Sequence, residues 1–255
     1  STKLLYISSI SSVAQLPSIS HSSNIPEEVV KDFNAPYDIG YAKSKLVSEL
    51  LCDTASRKLG LPISFVRVGQ IAGTVEGETI AAWNTAEWLS NLVITSISLG
   101  ALPDDLGAEL HKVDWIPVDM LAKTLGEQGT NLSRPESASG ASSSAQTFNL
   151  LNPKPTSWKA LLPDIISSIK NHTGKILGIV SAAAWLEMFQ EVGGSFSAHD
   201  ATDLLQTHPA IKLQESYEAR MAGGQKAIEW EMESALAKST TLNGMLAVGG
   251  EWMDK

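Results

Sequence analysis

The 255-residue sequence has little of what several common protein classes require. It contains one cysteine, Cys52, so it forms no internal disulfide and is typical of a reducing compartment. Its 19 Lys and Arg are outnumbered by 28 Asp and Glu, and this net charge of −9 disfavours a nucleic-acid partner. No apolar run approaches the roughly 18 residues of a membrane span, and the amino terminus lacks the apolar core of a secretory signal. We therefore expect a cytoplasmic protein that binds neither nucleic acid nor a membrane.

The hydrophobic residues, 43% of the chain, are sufficient for a packed core and exclude general disorder. Their pattern predicts a buried strand at 3–7, a helix at 40–59 and a second strand at 63–69. Gly60 and Pro62 end the predicted helix. A strand, a helix and a strand with short connections between them form the repeating unit of a parallel sheet, and its crossover is expected to be right-handed.

The rest of the chain is assigned from composition and periodicity. We predict a loop at 18–36 and a mainly helical segment at 76–112 that Gly100 and Pro103 close. An extended piece at 113–119 then leads into a helix from about Met120, and a mobile surface loop follows at 130–146. The last core strand is predicted at 147–151, before mainly helical structure at 156–255 with a possible strand at 175–180.

The sharpest chemical signal is Tyr41 and Lys45, which stand four residues apart at the start of the predicted helix. This spacing places both side chains on one helix face, with Cβ atoms roughly 5–6 Å apart. A free phenol is a weak acid or base near neutral pH, and a neighbouring ammonium favours its ionised form. The pair is therefore a candidate acid–base site, although a packed Tyr and a solvated Lys would show the same spacing.

Two further segments surround this pair in the predicted topology. Ser9 ends the first strand, where its hydroxyl could bind the same carbonyl oxygen that Tyr41 protonates. The segment 67–73 ends the second strand. Open α/β sheets place their ligands at the carboxyl ends of the strands, so these positions together favour a catalytic site over a structural one.

Four motifs together resemble an extended short-chain dehydrogenase/reductase. They are Tyr6-Ile7-Ser8-Ser9, Gly40-Tyr41-x-x-Ser44-Lys45, Arg67-Val68-Gly69-Gln70-Ile71-Ala72-Gly73 and Val113-Asp114-Trp115-Ile116-Pro117-Val118-Asp119. More narrowly, the chain is similar to the terminal thioester reductase domains of fungal non-ribosomal peptide and polyketide synthetases and of carboxylic acid reductases. The resemblance covers nearly the whole chain. It implies an α/β fold that comprises the carboxyl-terminal part of a Rossmann-type doubly wound parallel sheet and a mainly helical substrate-binding subdomain.

The same resemblance implies a catalytic triad of Ser9, Tyr41 and Lys45. Tyr41 would donate the proton, Ser9 would polarise the carbonyl, and Lys45 would favour ionisation of the phenol and bind the cofactor ribose. The residues implied to bind cofactor are Tyr41, Lys45, Val68, Gly69, Gln70 and Ile71. Val68 stands where the family usually has Pro, so this turn is less rigid.

The implied reaction is reduction, by NADPH, of an acyl thioester held on the phosphopantetheine of a carrier protein, with release of an aldehyde or alcohol. The implied domains are 1–152, the Rossmann part with a helical insertion at about 76–112, and 153–255, the substrate-binding subdomain. We expect a monomeric domain of a multidomain synthetase.

None of the 19 glycines forms the GxGxxG or GxxGxxG turn that holds a dinucleotide pyrophosphate. We therefore expect the chain to be a carboxyl-terminal fragment of a larger reductase, unable alone to bind NADPH with useful affinity. The five histidines show no metal-ligand spacing, so no metal site is predicted.

Three alternatives stay open at this point. The same fold could serve an epimerase or dehydratase of the extended type, a non-redox releasing cyclase, or a domain that only docks a carrier protein. The presence of Ser9, Tyr41 and Lys45 together favours redox chemistry.

Overall fold

The computed structural model describes residues 3–20, 22–76, 83–84, 87–108, 110–130, 144–195, 205–221 and 228–252. Contacts divide the chain into two compact units, of which the first comprises 1–72, 114–154 and 227–247 and the second 73–113, 155–226 and 248–255. This division groups 73–113 with the second unit and 227–247 with the first, whereas the predicted domains 1–152 and 153–255 divide the chain at a single boundary.

The elements of the described residues are as follows. The strands are β1 Leu4–Ser9, β2 Asn24–Ile25, β3 Ile63–Val68, β4 Ile71–Ala72, β5 Ala101–Pro103, β6 Lys112–Val113, β7 Ile116–Pro117, β8 Gln146–Leu150, β9 Thr156–Ser157, β10 Gly178–Val180 and β11 Glu229–Trp230. The helices are α1 Leu16–Ser20, α2 Gly40–Leu59, α3 Trp88–Leu99, α4 Val118–Thr130, α5 Trp158–Thr173, α6 Ala182–Ser195, α7 Gln214–Met221, α8 Glu233–Lys238 and α9 Thr240–Gly244.

The first unit is built on a three-stranded parallel sheet in the order β1-β3-β8. Strand β3 is the middle strand, and every one of its residues is buried. Its near-continuous apolar sequence is what a strand covered on both faces requires. The predicted parallel strand–helix–strand unit, β1-α2-β3, is therefore confirmed.

Helices cover both faces of this sheet. On one face, α2 packs through Cys52 against the buried side chains of Ile63 and Phe65. On the other face, Leu121 of α4 packs with Val66, whose side chain points away from α2. The first unit is thus a doubly wound α/β fold, as the sequence predicts.

Helix α2 ends where the sequence predicts. Gly60 adopts a left-handed conformation with φ of 62°, and its amide donates to the carbonyl of Ser56. A residue with a Cβ adopts this conformation at a cost, so glycine favours termination here.

The predicted loop at 18–36 contains regular structure that local sequence does not indicate. Its first residues complete α1, and β2 pairs in parallel with β11, more than 200 positions away. In this pair Asn24 aligns with Glu229 and Ile25 with Trp230. Pairing over such a sequence distance leaves no periodic signal in a two-residue strand.

The second unit is mainly helical, with its core at α3, α5, α6 and α7. Trp185 stacks on Phe189 with ring centroids 5.2 Å apart and meets Tyr217 edge-on at 5.9 Å. The buried Trp158 indole donates to the carbonyl of Pro103 at 2.9 Å. These aromatic side chains serve as core, and their indole and phenol groups find polar partners as buried aromatic groups must.

The helical segment predicted at 76–112 is a helix only at 88–99 among its described residues. Gly100, with φ of 75°, ends α3 as expected, and the chain then enters β5, which pairs in parallel with β10. The strand predicted within 175–180 is thereby confirmed at its carboxyl-terminal half. Strand β6 pairs with β9 in antiparallel fashion.

Most of the surface loop predicted at 130–146 lies outside the described residues, which exclude 131–143. Its last predicted residue, Gln146, already begins β8. Within the described part of the chain, no helix has the length and apolar character needed to cross a membrane.

Glu127 links α4 to the start of α9 and makes the folding stability depend on pH in the acidic range. Its carboxylate accepts hydrogen bonds from the hydroxyls of Ser239, Thr240 and Thr241 and from the Thr241 amide. These bonds, the Ser239 bond foremost, lower the pKa of Glu127 to about 2. A carboxyl that is more acidic folded than unfolded stabilises the fold above its ordinary pKa and loses that contribution as pH falls towards 2.

We therefore expect Glu127→Gln to lower the free energy of unfolding by roughly 1 kcal/mol at pH 7, since the group is partly exposed and solvent screens it. The difference from the wild type should shrink steadily between pH 4.5 and pH 2. Urea unfolding at several pH values measures it, with the exposed Glu187→Gln on α6 as the control. A deficit that is the same at pH 7 and pH 2.5 would contradict this assignment.

Candidate active site

Lys45 lies between two tyrosine rings on the face of α2 that borders the sheet. Its Nζ is 5.4 Å from the ring centroid of Tyr41 and 5.2 Å from that of Tyr6. The same atom donates a hydrogen bond to the carbonyl of Ile7 at 2.9 Å. Because β1 anchors the ammonium in this way, it stays beside the phenol one helical turn earlier. Tyr41 itself is open to solvent, since 56% of its surface is exposed.

Ser9 ends β1 and caps the short 3-10 turn Ile10–Ser12. Its Oγ accepts hydrogen bonds from the Ser11 amide at 3.3 Å and from the Ser11 hydroxyl at 3.0 Å. A serine oxygen has two lone pairs, so its own hydrogen is the group that remains to bind a further acceptor. Ser9 is thus prepared to donate to an oxygen such as that of a carbonyl.

Val68 and Gly69 lie beside Ser9 at the carboxyl edge of the sheet. Ser9 and Val68 are direct neighbours in the parallel register of β1 and β3. The Gly69 amide donates to the carbonyl of Leu150 at 2.9 Å. A Cβ at Gly69 would stand 3.2 Å from the Leu151 side chain and 3.3 Å from the Leu150 carbonyl, so the turn packs closely against β8 and the residue after it.

The chain after Gly69 is held by a second parallel pair. Ile71 in β4 aligns with Ile116 in β7, and the Ile116 amide donates to the carbonyl of Gln70 at 2.9 Å. The Gln70 side chain donates to the carbonyl of Ile71. Residues 68–71 therefore form a defined backbone surface that follows β3.

The structure brings the predicted site residues to one edge of the sheet. Tyr41 and Lys45 are adjacent on α2, Lys45 is bonded to β1 two residues before Ser9, and Ser9 aligns with Val68. This arrangement places a hydroxyl donor, a phenol and an ammonium around the carboxyl ends of β1 and β3. Such a set can bind a carbonyl oxygen, give it a proton and hold a sugar hydroxyl.

Sequence reasoning missed the buried ion pair behind this edge. Glu49 on α2 and Arg67 on β3 have no exposed side-chain surface, and Arg67 Nη2 lies 2.8 Å from Glu49 Oε2. A signal was present, because Arg67 interrupts an apolar strand and a buried guanidinium requires a carboxylate partner. Glu49 follows Lys45 by four residues, which places it on the same helix face.

Cys52 is poorly suited to act as a nucleophile, and the described residues offer no metal site. Burial raises the pKa of the Cys52 thiol, and the Glu49 charge adds to that effect, so the thiol is held in its unreactive form. No group of three or more His, Cys, Asp or Glu suited to a metal occurs among the described residues.

The residues at this edge fit one end of a nicotinamide dinucleotide. Lys45 could hold a ribose hydroxyl, and the 68–71 backbone lies beside Ser9, where a flat ring could pack. The glycine-rich turn that holds the pyrophosphate is absent from the sequence. These residues are therefore candidates for the reacting end of the cofactor, and the sequence offers no such candidate for its pyrophosphate.

The doubly wound parallel sheet, with a Tyr-x-x-x-Lys helix beside its carboxyl edge and a serine at the end of β1, is the arrangement of the extended short-chain dehydrogenase/reductase fold. Residues 2–125 match the model of the NAD-binding family described as "Male sterility protein".

Similar proteins extend the likeness over the whole chain. A carboxylic acid reductase of Neurospora crassa is 34% identical over 90% of this chain and 20% of its own length. An adenylate-forming reductase of Stachybotrys bisbyi is 31% identical over 96% of this chain and 21% of its own length. The chain thus spans about a fifth of these curated relatives.

Among solved structures, the terminal R domain from the myxalamid PKS-NRPS biosynthetic pathway superposes with a TM-score of 0.68. It is 23% identical, and the match covers 99% of this chain and 56% of that one. At this identity the likeness concerns the fold. The resemblance predicted from the sequence is confirmed by these matches.

Proposed function

We propose that this chain supplies the catalytic groups of an NADPH-dependent thioester reductase. Its substrate would be an acyl or peptidyl chain held as a thioester on the phosphopantetheine of a carrier protein, and its product an aldehyde or, after a second reduction, an alcohol. The observation that carries the proposal is the placement of Lys45, which is bonded to β1 near Ser9 and lies over the Tyr41 ring. The relatives, which include a carboxylic acid reductase, support this reaction class.

The residues of the site have distinct roles in the proposed reaction. The Ser9 hydroxyl donates a hydrogen bond to the thioester carbonyl oxygen, since its lone pairs are already used by Ser11. The Tyr41 phenol gives that oxygen a proton. The Lys45 ammonium stabilises the phenolate that results and holds the ribose of the cofactor. NADPH, when bound, supplies the hydride that the carbonyl carbon receives.

The atoms and electrons balance in this sequence. The carbonyl carbon gains a hydride and its oxygen gains a proton, which gives a hemithioacetal. The C–S bond then breaks, the sulfur takes a proton and leaves as the free thiol of the carrier, and the hydroxyl proton is lost as the aldehyde forms. Residues 68–71 would lie against the nicotinamide and fix its distance from the reacting carbon.

The proposal is tested with the whole protein that carries this chain, an acyl thioester on its carrier protein, and either NADPH or NADH. We expect one reduced nicotinamide to be consumed for each carrier thiol released when the product is the aldehyde, and two when it is the alcohol, with NADPH preferred. The matching oxygen ester on the same carrier serves as the control and should react much more slowly, because an alkoxide leaves less readily than a thiolate.

Other outcomes would identify the other functions of this fold. Release of product without any cofactor would contradict the proposal and indicate a non-redox cyclase. Tight binding of the carrier with neither release nor oxidation would also contradict it and indicate a docking domain.

A further inference from the structure

A single carboxylate oxygen holds both sides of the turn that carries Ser9. Oε1 of the buried Glu49 accepts hydrogen bonds from the hydroxyl of Ser8 at 2.5 Å and from that of Ser12 at 2.6 Å. These two serines stand on either side of Ser9, at the end of β1 and at the end of the following 3-10 turn. The Ser12 hydroxyl also lies 2.8 Å from the Ser9 carbonyl oxygen, so the turn is closed upon itself.

The same glutamate belongs to the helix that carries the other two catalytic candidates. Tyr41, Lys45 and Glu49 follow one another at intervals of four residues on α2, so they project from neighbouring turns of one face. Glu49 therefore connects the Ser9 turn directly to the helix of Tyr41 and Lys45. A shift of the turn along the helix would break two hydrogen bonds to a buried charge, which is costly.

Arg67 fixes the carboxylate from the side of the sheet. Its Nη2 donates to Glu49 Oε2 at 2.8 Å, and its Nε lies 3.2 and 3.3 Å from the two carboxylate oxygens. Its Nη1 and Nη2 atoms also donate to the carbonyls of Pro26 and Glu28, with N···O distances of 3.3 and 3.0 Å. In the register of the sheet, Arg67 is the direct neighbour of Ser8. The carboxylate thus has a set direction and cannot rotate away from the serines without loss of these bonds.

We propose that Glu49, held by Arg67, is a positioning residue that sets the place of the Ser9 hydroxyl relative to Tyr41 and Lys45. Buried ion pairs contribute little net stability compared with apolar packing, but they impose a defined geometry. Here that geometry joins the two separate elements on which the reaction depends. The inference rests on the proposed function of this site and adds to it a residue that need not touch the substrate.

The test compares Glu49→Gln with a matched change on the same helix. Gln keeps the size of the side chain and loses the charge that holds Ser8 and Ser12. We expect kcat for thioester reduction by the intact reductase to fall roughly 10–100-fold, while KM for NADPH and thioester stays within about threefold, because misplacement affects the transition state. The control is Asp53→Asn, a buried carboxylate one turn later that bonds Arg57 and Ser144, and it should leave kcat within about twofold.

A double variant separates positioning from general structural damage. If Glu49 acts through Ser9, then Ser9→Ala with Glu49→Gln should be no slower than Ser9→Ala alone, within about threefold. Losses that multiply in the double variant would overturn the inference, as would a Glu49→Gln enzyme with the kcat of the Asp53→Asn control. If Ser9→Ala itself keeps the wild-type kcat, the proposed function fails, and this inference fails with it.

A second variant covers the case in which Glu49→Gln does not fold. Ser8→Ala with Ser12→Ala removes the two hydroxyls and leaves the Glu49–Arg67 pair intact. The same loss of kcat at nearly unchanged KM is expected, and an unchanged kcat in this variant would overturn the inference.

Discussion

Replacing Tyr41 by Phe is expected to lower kcat for thioester reduction by roughly 10²–10⁴-fold in the intact reductase. The change removes the hydroxyl to which the proposal assigns protonation of the carbonyl oxygen, and it leaves the ring beside the Lys45 ammonium. KM for the thioester and for NADPH should change little, because the phenol proton is transferred only in the transition state.

Folding should be unaffected by this change. Tyr41 is 56% exposed, and surface substitutions of this size usually stay within about 0.5 kcal/mol. Steady-state kinetics and urea unfolding measure the two quantities separately. The matched control is Tyr37→Phe, the same chemical change at a position that precedes the start of α2, which should keep the wild-type kcat. A Tyr41→Phe enzyme with undiminished turnover would exclude the phenol as proton donor.

Replacing Arg67 by Met is expected to lower the free energy of unfolding by about 3–5 kcal/mol. Methionine has a similar length and can fill much of the space, so the expected loss comes from charge rather than from a cavity. It would leave the Glu49 carboxylate with no counter-ion in a position where neither side chain is exposed. The carbonyls of Pro26 and Glu28 would lose their donors as well.

Helix α2, which carries Glu49, also carries a second ion pair that serves as a matched comparison for this loss. Arg57 pairs with Asp53 at 2.9 Å, and 43% of the Arg57 side chain is exposed. Arg57→Met should therefore cost about 1 kcal/mol or less, because solvent screens that pair. Urea unfolding of both variants under the same conditions gives the comparison. Equal losses in the two variants would contradict the importance of burial at Arg67.

The sequence predicts the catalytic part of this fold well because its signals are local. Helix α2 spans the predicted 40–59, and its end at Gly60 follows from the freedom of glycine to adopt a positive φ. The same holds for β3, a short run dominated by apolar and β-branched residues. Tyr41 and Lys45 need only helical spacing to become neighbours, so their contact follows once the helix is placed.

Features that depend on contacts distant in sequence are missed. The pairing of β2 with β11 joins parts of the chain that local patterns treat as a loop and as a helical region. The return of 227–247 to the first unit has the same origin. The Glu49–Arg67 pair lies between these cases, since each residue is unusual in its own context but the contact needs the β1-α2-β3 packing to form.

The candidate site residues come from one short part of the chain, and this has a consequence for how they are inherited. All of them lie between Ser8 and Ile71, on β1, the 3-10 turn that follows it, α2, β3 and the start of β4. A single stretch of sequence of modest length therefore carries every group to which the proposal gives a chemical role, and a recombination event outside that stretch leaves the set together.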